Sequence, residues 1–134
     1  MSKLVCITGC SRGLGRAMAL EFSNRGWNVA GGARNAQKLK ELKQELLTDQ
    51  LLHSFDVTQP NEVKDFADLV KDSLGIPDLL INNAGLINQN APLWNIAPEE
   101  FKKVLEVNLG GIHNMIRTFV PLMKEAGNGI IANF

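Results

Sequence analysis

Thr8-Gly9-Cys10-Ser11-Arg12-Gly13-Leu14-Gly15 joins an apolar run to an amphipathic one, and the fold turns on how it is read. Lys3 to Thr8 (KLVCIT) predicts a buried strand. Gly13 to Arg25 predicts a helix with Leu14, Ala17, Met18 and Phe22 on one face, stopped by Gly26. Each glycine between and within them has a task. Gly9 lets the chain turn sharply off the strand, Gly13 keeps the backbone free of a Cβ where another group could approach, and Gly15 lets the helix sit close to the sheet.

The same alternation continues outward. Trp27 to Ala33 predicts a second strand, and Ala36 to Leu47 a helix with Leu39, Leu42 and Leu46 inward. Leu51 to Phe55 predicts a third strand. Thr58 is the expected N-cap of the next helix, with Pro60 and Glu62 in its first turn and Val63, Phe66, Ala67, Val70 and Leu74 at helical spacing. Gly75 and Pro77 end that helix, and Asp78 to Asn82 predicts the fourth strand. A long loop, Asn83 to Ala97, precedes a long helix opened by Pro98, Glu99 and Glu100. Its apolar stripe is Phe101, Val104, Leu105, Ile112, Met115, Ile116 and Phe119, with Pro121 near its end. Gly127 to Gly129 turn the chain into a fifth strand, Ile130 to Phe134.

Repeated βα units with short connections imply one α/β domain over residues 1–134, a Rossmann-type doubly wound parallel sheet of strand order 3-2-1-4-5. The ligand crevice is expected between strands 1 and 4, at their carboxyl ends. The sequence stops on the fifth strand, so the domain is expected to be incomplete at its C-terminus, with that strand on an open edge.

Composition narrows the function classes. The chain is 45% hydrophobic and 21% charged, as ordinary globular domains are. Fourteen basic residues balance 14 acidic ones, which leaves no surplus for a sequence-independent hold on nucleic acid. No stretch has the length of a membrane span, and no secretory signal is expected. Cys6 and Cys10 read as buried or loop thiols rather than a disulfide, so a reducing cytosol, or an organelle of similar chemistry, is the expected setting. Their spacing lacks any nearby His or Cys cluster, so no metal site is expected. A redox role for Cys10, near a helix N-terminus, is the weaker reading of that position. His53 and His113 are isolated and read as surface residues of a strand and a helix. Trp27 and Trp94 read as packing residues, with Trp94 placed where it could instead line a pocket.

The glycine loop admits two readings: a turn that holds nothing, or a phosphate cradle in which the helix N-terminus offers free N–H groups. The clear strand before it and helix after it favour the cradle. The motifs then become specific. Thr8 to Gly15 resembles the T-G-x-x-x-G-x-G motif of the short-chain dehydrogenase/reductase family. Asn82-Asn83-Ala84-Gly85 is similar to its N-N-A-G motif, Asp56-Val57 to its adenine-contacting pair, and Asn108 to its active-site asparagine. Within that family, Asn83 to Phe101 (NAGLINQNAPLWNIAPEEF) resembles the pterin aldehyde reductases of plants.

The resemblance implies an oxidoreductase acting on a small carbonyl or alcohol substrate, homo-oligomeric in its full-length form. It implies cofactor contacts from Gly9, Ser11, Arg12, Gly13, Leu14, Gly15, Arg34, Asp56, Val57, Asn83, Ala84 and Gly85. NAD-specific relatives carry an acid at the end of the second strand; here Ala33 stands there, followed by Arg34, with Arg12 in the glycine loop. Two guanidinium groups suit a 2′-phosphate, so the expected cofactor is NADP(H); the alternative is two solvated surface charges.

Asn108 falls on the expected sheet-facing stripe, where an amide needs partners. It is either a structural residue at a kinked backbone or, as the family implies, the holder of a water in a proton relay, and the two are compatible. The family's serine, tyrosine and lysine lie beyond the fifth strand, and this chain has no tyrosine at all. The 134 residues are therefore expected to bind cofactor without turnover, as a fragment, a short isoform or part of a longer enzyme. Two alternatives are a non-catalytic cofactor-binding or interaction protein and a different Rossmann nucleotide binder. Asn82 to Gly85 and Asn108 speak against the latter.

Overall fold

The computed structural model describes residues 2–134; Met1, counted in the expected domain, lies outside them. The elements run β1 (Leu4–Thr8), α1 (Gly13–Asn24), β2 (Asn28–Ala33), α2 (Ala36–Glu45), β3 (Gln50–Ser54), α3 (Pro60–Ser73), β4 (Leu79–Asn82), α4 (Pro98–Leu105), α5 (Gly111–Ala126) and β5 (Ile130–Asn133). The strands form one sheet of order β3-β2-β1-β4-β5, parallel throughout, with Val5 level with both Val29 and Leu79. The expected fold class and strand order are thus observed, with β5 on an edge.

The period-two alternation of β1 divides the core. Leu4 and Cys6 point to the face covered by α3 and α5, where Phe55, Val63, Phe66, Val70, Met115 and Phe119 are buried. Val5 and Ile7 point to the other face, against Ala19 of α1 and Leu39 and Leu42 of α2. Phe66 anchors the first layer, its ring centroid 4.4 Å from that of Phe55 and 6.0 Å from that of Phe119. At the opposite end of the sheet from the crevice, the Leu4 amide donates to Asp78 Oδ2 at 2.8 Å, tying β1 to the start of β4.

Several local expectations need correction. The buried row of α1 is Gly15, Ala19 and Ser23, while Leu14 is 56% exposed. A helix seated this close to a sheet presents its small residues, so Met18 and Phe22 flank the contact rather than form it. Thr58 does not cap α3. Gln59 holds that position, and the Thr58 amide and hydroxyl both donate to Asp56 Oδ1, at 2.9 and 2.8 Å, in a local turn that competes with capping.

The long helix is not uniform. A π-helical segment, Glu106–Gly110, joins α4 to α5, and the helix continues past Pro121 to Ala126. The extra residue in the π turn rotates the face that follows. In α5 the buried row is Gly111, Met115, Phe119 and Met123, whereas Phe101 and Leu105 are exposed and Ile112 and Ile116 only half-buried. Trp94 is 85% exposed in the long loop, which holds one 3-10 turn at Leu93–Asn95, so it is no packing residue here. Trp27 does pack, edge-on to Phe22 with ring centroids 5.0 Å apart.

Candidate functional site: a cleft at the carboxyl ends of β1, β2 and β4

The crevice is built by hydrogen bonds between chain segments far apart in sequence. Thr8, the last residue of β1 and 2% exposed, accepts two amides on its Oγ1, from Asn83 and Ala84, each at 3.0 Å. The Asn83 side-chain amide donates back to the Gly9 carbonyl at 3.2 Å. On the other side, the Gly9 amide donates to the Gly32 carbonyl at the end of β2, at 2.8 Å. The glycine loop is thereby fixed between β2 and β4.

Glycine is required here by geometry. Gly9 has φ +68°, and a Cβ on it would lie 2.9 Å from Ala84 Cα. A Cβ on Gly15 would collide with the Gly9 carbonyl oxygen. Gly13, at φ +57°, faces open space, so its backbone is bare toward the cleft. The first helical bond of α1 runs from the Arg16 amide to the Arg12 carbonyl, which leaves the amides of Gly13, Leu14 and Gly15 without intrahelical partners. No acidic side chain stands in that first turn. These amides at a positive helix end suit a phosphate group.

The cleft has a volume of about 490 Å³. Of the expected cofactor residues, Gly9, Ser11, Arg12, Gly13, Arg34, Asp56, Val57, Asn83, Ala84 and Gly85 line it together. Leu14 and Gly15 do not line it. The first has its side chain outward and its amide at the helix start, and the second acts by letting α1 approach. Lys38, Asn35, Phe55 and Leu86 also line the cleft and escaped the sequence reading. Lys38 reads in the sequence as one more surface charge on α2. Phe55 reads in the sequence only as the end of a strand; in the fold its ring lies against Gly32, where a Cβ would run into it.

The charges at the β2 side are uneven. Among the described residues, Arg12, Arg34 and Lys38 have no carboxylate within ion-pair distance; the ion pairs present are Arg16–Glu45, Arg25–Glu21 and Lys64–Asp68. The one carboxylate lining the cleft, Asp56, is held by Thr58. Val57 beside it is buried, pressed against Gly111, and its carbonyl accepts from Asn114 Nδ2 at 2.9 Å.

Asn108 sits within the π-helical segment, half-buried, and faces the loop after β4 rather than the sheet. Its Oδ1 accepts from the Leu86 amide at 2.7 Å and its Nδ2 donates to the Leu86 carbonyl at 2.8 Å. The side chain therefore reads the backbone of Leu86 as a paired strand would, and sets the course of the chain that leaves Gly85. Asn108 itself does not line the cleft; Val107 does.

The two thiols are poor nucleophiles. Burial pushes the Cys10 thiol up to about 12, and Cys6 higher still, so the proximity of Cys10 to a helix start does not activate it. Among the described residues no cluster of three His, Cys, Asp or Glu side chains could hold a metal ion. Among the described residues no helix is long and apolar enough to cross a membrane. His53 is half-buried, its ring stacked at 6.4 Å on Phe66, and His113 is exposed.

A parallel sheet with this strand order, a glycine-rich turn onto a helix N-terminus and a crevice between β1 and β4 define a Rossmann-type nucleotide-binding domain. The family model for short chain dehydrogenase matches residues 3–134. The chain belongs to that short-chain dehydrogenase family. It is 42% identical to an NADPH-dependent pterin aldehyde reductase of Arabidopsis thaliana, over 98% of this chain and 55% of the relative. A metagenomic short-chain oxidoreductase solved in complex with NADP superposes with a TM-score of 0.90 at 31% identity, covering 98% of this chain and 61% of that one. An NAD+-bound xylitol dehydrogenase superposes with a TM-score of 0.94 at 26% identity, covering 98% and 52%. The backbone is thus shared by relatives that take either nicotinamide cofactor. The chain spans about half the length of the curated relatives it matches.

Proposed function

We propose that this chain is the cofactor-binding portion of an NADP(H)-dependent oxidoreductase that reduces an aldehyde or ketone, or oxidises the corresponding alcohol. The observation that carries this reading is the cleft itself: free amides at the start of α1 on one side, and unpaired Arg12 and Arg34 beside a β2 end that carries Ala33 in place of an acid. The amides of Gly13 to Gly15 would hold the pyrophosphate, Asp56 and Val57 the adenine edge, and the two guanidinium groups the 2′-phosphate. Asn83, Ala84 and Gly85 would floor the nicotinamide half. When bound, the dinucleotide supplies or accepts a hydride. The likeness to the Arabidopsis pterin aldehyde reductase supports an aldehyde as the oxidised substrate.

Asn108 acts in this reading as a positioning residue. Its amide spends one donor and one acceptor on Leu86, which fixes the loop beside the reacting end, and the π turn around it loosens the helical hydrogen-bond pattern where a water could be held. With no tyrosine among its residues, this stretch alone would bind cofactor and not turn over. Self-association of the full-length form is proposed as well, supported by the exposed Phe101, Leu105 and Leu109.

Titration of the purified chain with NADPH and with NADH tests the cofactor reading. NADPH is expected to bind at least ~10-fold more tightly, as charge-assisted contacts to the extra phosphate require. Equal affinities would refute it. Steady oxidation of NADPH with aldehyde substrates by this chain alone would refute the expected lack of turnover.

A further inference from the structure

Three basic side chains, not two, line the cleft: Arg34 and Lys38 beyond β2, and Arg12 at the start of α1. Lys38 stands in the first turn of α2. Asn35 caps that helix, its Oδ1 accepting the Lys38 amide at 3.1 Å, which fixes the Lys38 stem relative to the β2–α2 turn. The turn is fastened in its own right, because the Ser54 hydroxyl donates to the Arg34 carbonyl at 2.9 Å. Arg34 and Lys38 are thus mounted on one rigid corner, with Arg12 opposite at the start of α1.

The charge on this corner calls for a particular ligand. Arg12, Arg34 and Lys38 have no carboxylate partner among the described residues, and α2 has no acid in its first turn. Asp56 is the one carboxylate on the cleft wall. Three cations against one anion leave a surplus of two positive charges, which matches a phosphate monoester dianion in magnitude. A ribose with a free 2′-hydroxyl offers these cations no charge to pair with. Two planar guanidinium forks can grip two edges of a phosphate, and a flexible ammonium can reach an oxygen they leave free.

We propose that Lys38 is a specificity-determining residue whose ammonium is the third positive charge on the 2′-phosphate of the bound dinucleotide. This rests on the NADP(H) reading above and adds to it a residue that neither the glycine motif nor the end of β2 reveals.

The test uses calorimetric titration of the chain and of its Lys38→Gln, Lys38→Arg and Arg34→Gln variants with 2′,5′-ADP and with 5′-AMP, which differ only in the 2′-phosphate. Far-UV melting curves establish that each variant is folded, which an exposed side chain at position 38 makes the expected result. Lys38→Gln should weaken 2′,5′-ADP by roughly 5-fold, the size of one partly screened charge contact, and leave 5′-AMP unchanged. Lys38→Arg should come within about twofold of the parent, since the charge is kept. If Lys38→Gln binds 2′,5′-ADP like the parent while Arg34→Gln weakens it, Lys38 has no such role and the cofactor reading stands. If Lys38→Gln weakens both ligands equally, its charge acts without regard to the 2′-phosphate and the proposal is overturned. If the parent itself prefers 5′-AMP, or binds the two alike, the NADP(H) reading is what fails, and the proposal with it.

Discussion

Replacing Thr8 by valine should loosen the crevice without changing its shape. The two side chains are nearly isosteric, but valine offers no acceptor to the amides of Asn83 and Ala84, which now share Thr8 Oγ1 at 3.0 Å each. A buried amide left without a partner costs ~1–3 kcal/mol, so two would cost ~2–6 kcal/mol. Both residues are half-buried at the cleft rim, where water can reach one of the amides, which places the expected loss at ~2–3 kcal/mol. Thr8→Ser keeps the oxygen and removes one buried methyl, for about 1 kcal/mol. Urea unfolding followed by far-UV circular dichroism gives both numbers, and NADPH titration of the same proteins shows whether the crevice opens. Thr8→Val should bind NADPH more weakly than Thr8→Ser. A Thr8→Val protein within about 0.5 kcal/mol of the parent, with parental NADPH affinity, would show that these two bonds do not hold β1 to the chain after β4.

Four further outcomes are expected. Gly15→Ala puts a methyl against the Gly9 carbonyl and 2.5 Å from Asn83 Nδ2, so it should cost ~1–3 kcal/mol of stability and displace the helix start, measured by urea unfolding and by NADPH affinity together. Asn108→Ala leaves the Leu86 amide and carbonyl unpaired, and hydrogen exchange at the Leu86 amide should quicken by at least ~10-fold while β1 amides stay protected. For Cys10, burial raises the folded-state pKa from 9.0 to about 12, so its contribution to stability is fully present below pH 9 and falls as the pH rises from 9 toward 12. Urea midpoints across that range should drop more steeply in the parent than in Cys10→Ala. A disulfide reagent at pH 8 should label neither thiol at a rate faster than unfolding.

The sheet was legible because its strands are short apolar runs bounded by glycine, proline and aspartate, and because β1 alternates cleanly between two helix layers. The inward rows of α2 and α3 were equally plain: Leu39, Leu42 and Leu46 on one, Val63, Phe66, Ala67 and Val70 on the other. Where a helix meets the sheet through small residues, periodicity of large ones misleads. Gly15, Ala19 and Ser23 carry the contact of α1, and Leu14 is left outside. Of the expected stripe from Phe101 onward, Met115 and Phe119 are buried while Phe101 and Leu105 are exposed, because the π turn changes the register between α4 and α5 and no propensity marks it beforehand. At the site, backbone-dictated positions such as Gly9 and Gly13 could be read, since only glycine suits their φ values. Lys38 could not, because a lysine in the first turn of a helix reads as one more surface charge until α2 is placed beside the cleft, and Thr8 was noted as part of a motif without its role as a double acceptor. Trp94 shows the limit in the other direction, an aromatic whose hydrophobicity predicts packing while the loop leaves it exposed.

An amide-resolved NMR titration of the chain with NADPH probes the cleft most directly. The amides of Gly13, Leu14, Gly15 and Gly85 should shift in a saturable way, together with the side-chain signals of Arg12 and Arg34, while those of β5 stay in place. Shifts confined to the exposed strand edge, or none in the glycine loop at saturating NADPH, would contradict the assignment of this crevice as the dinucleotide site.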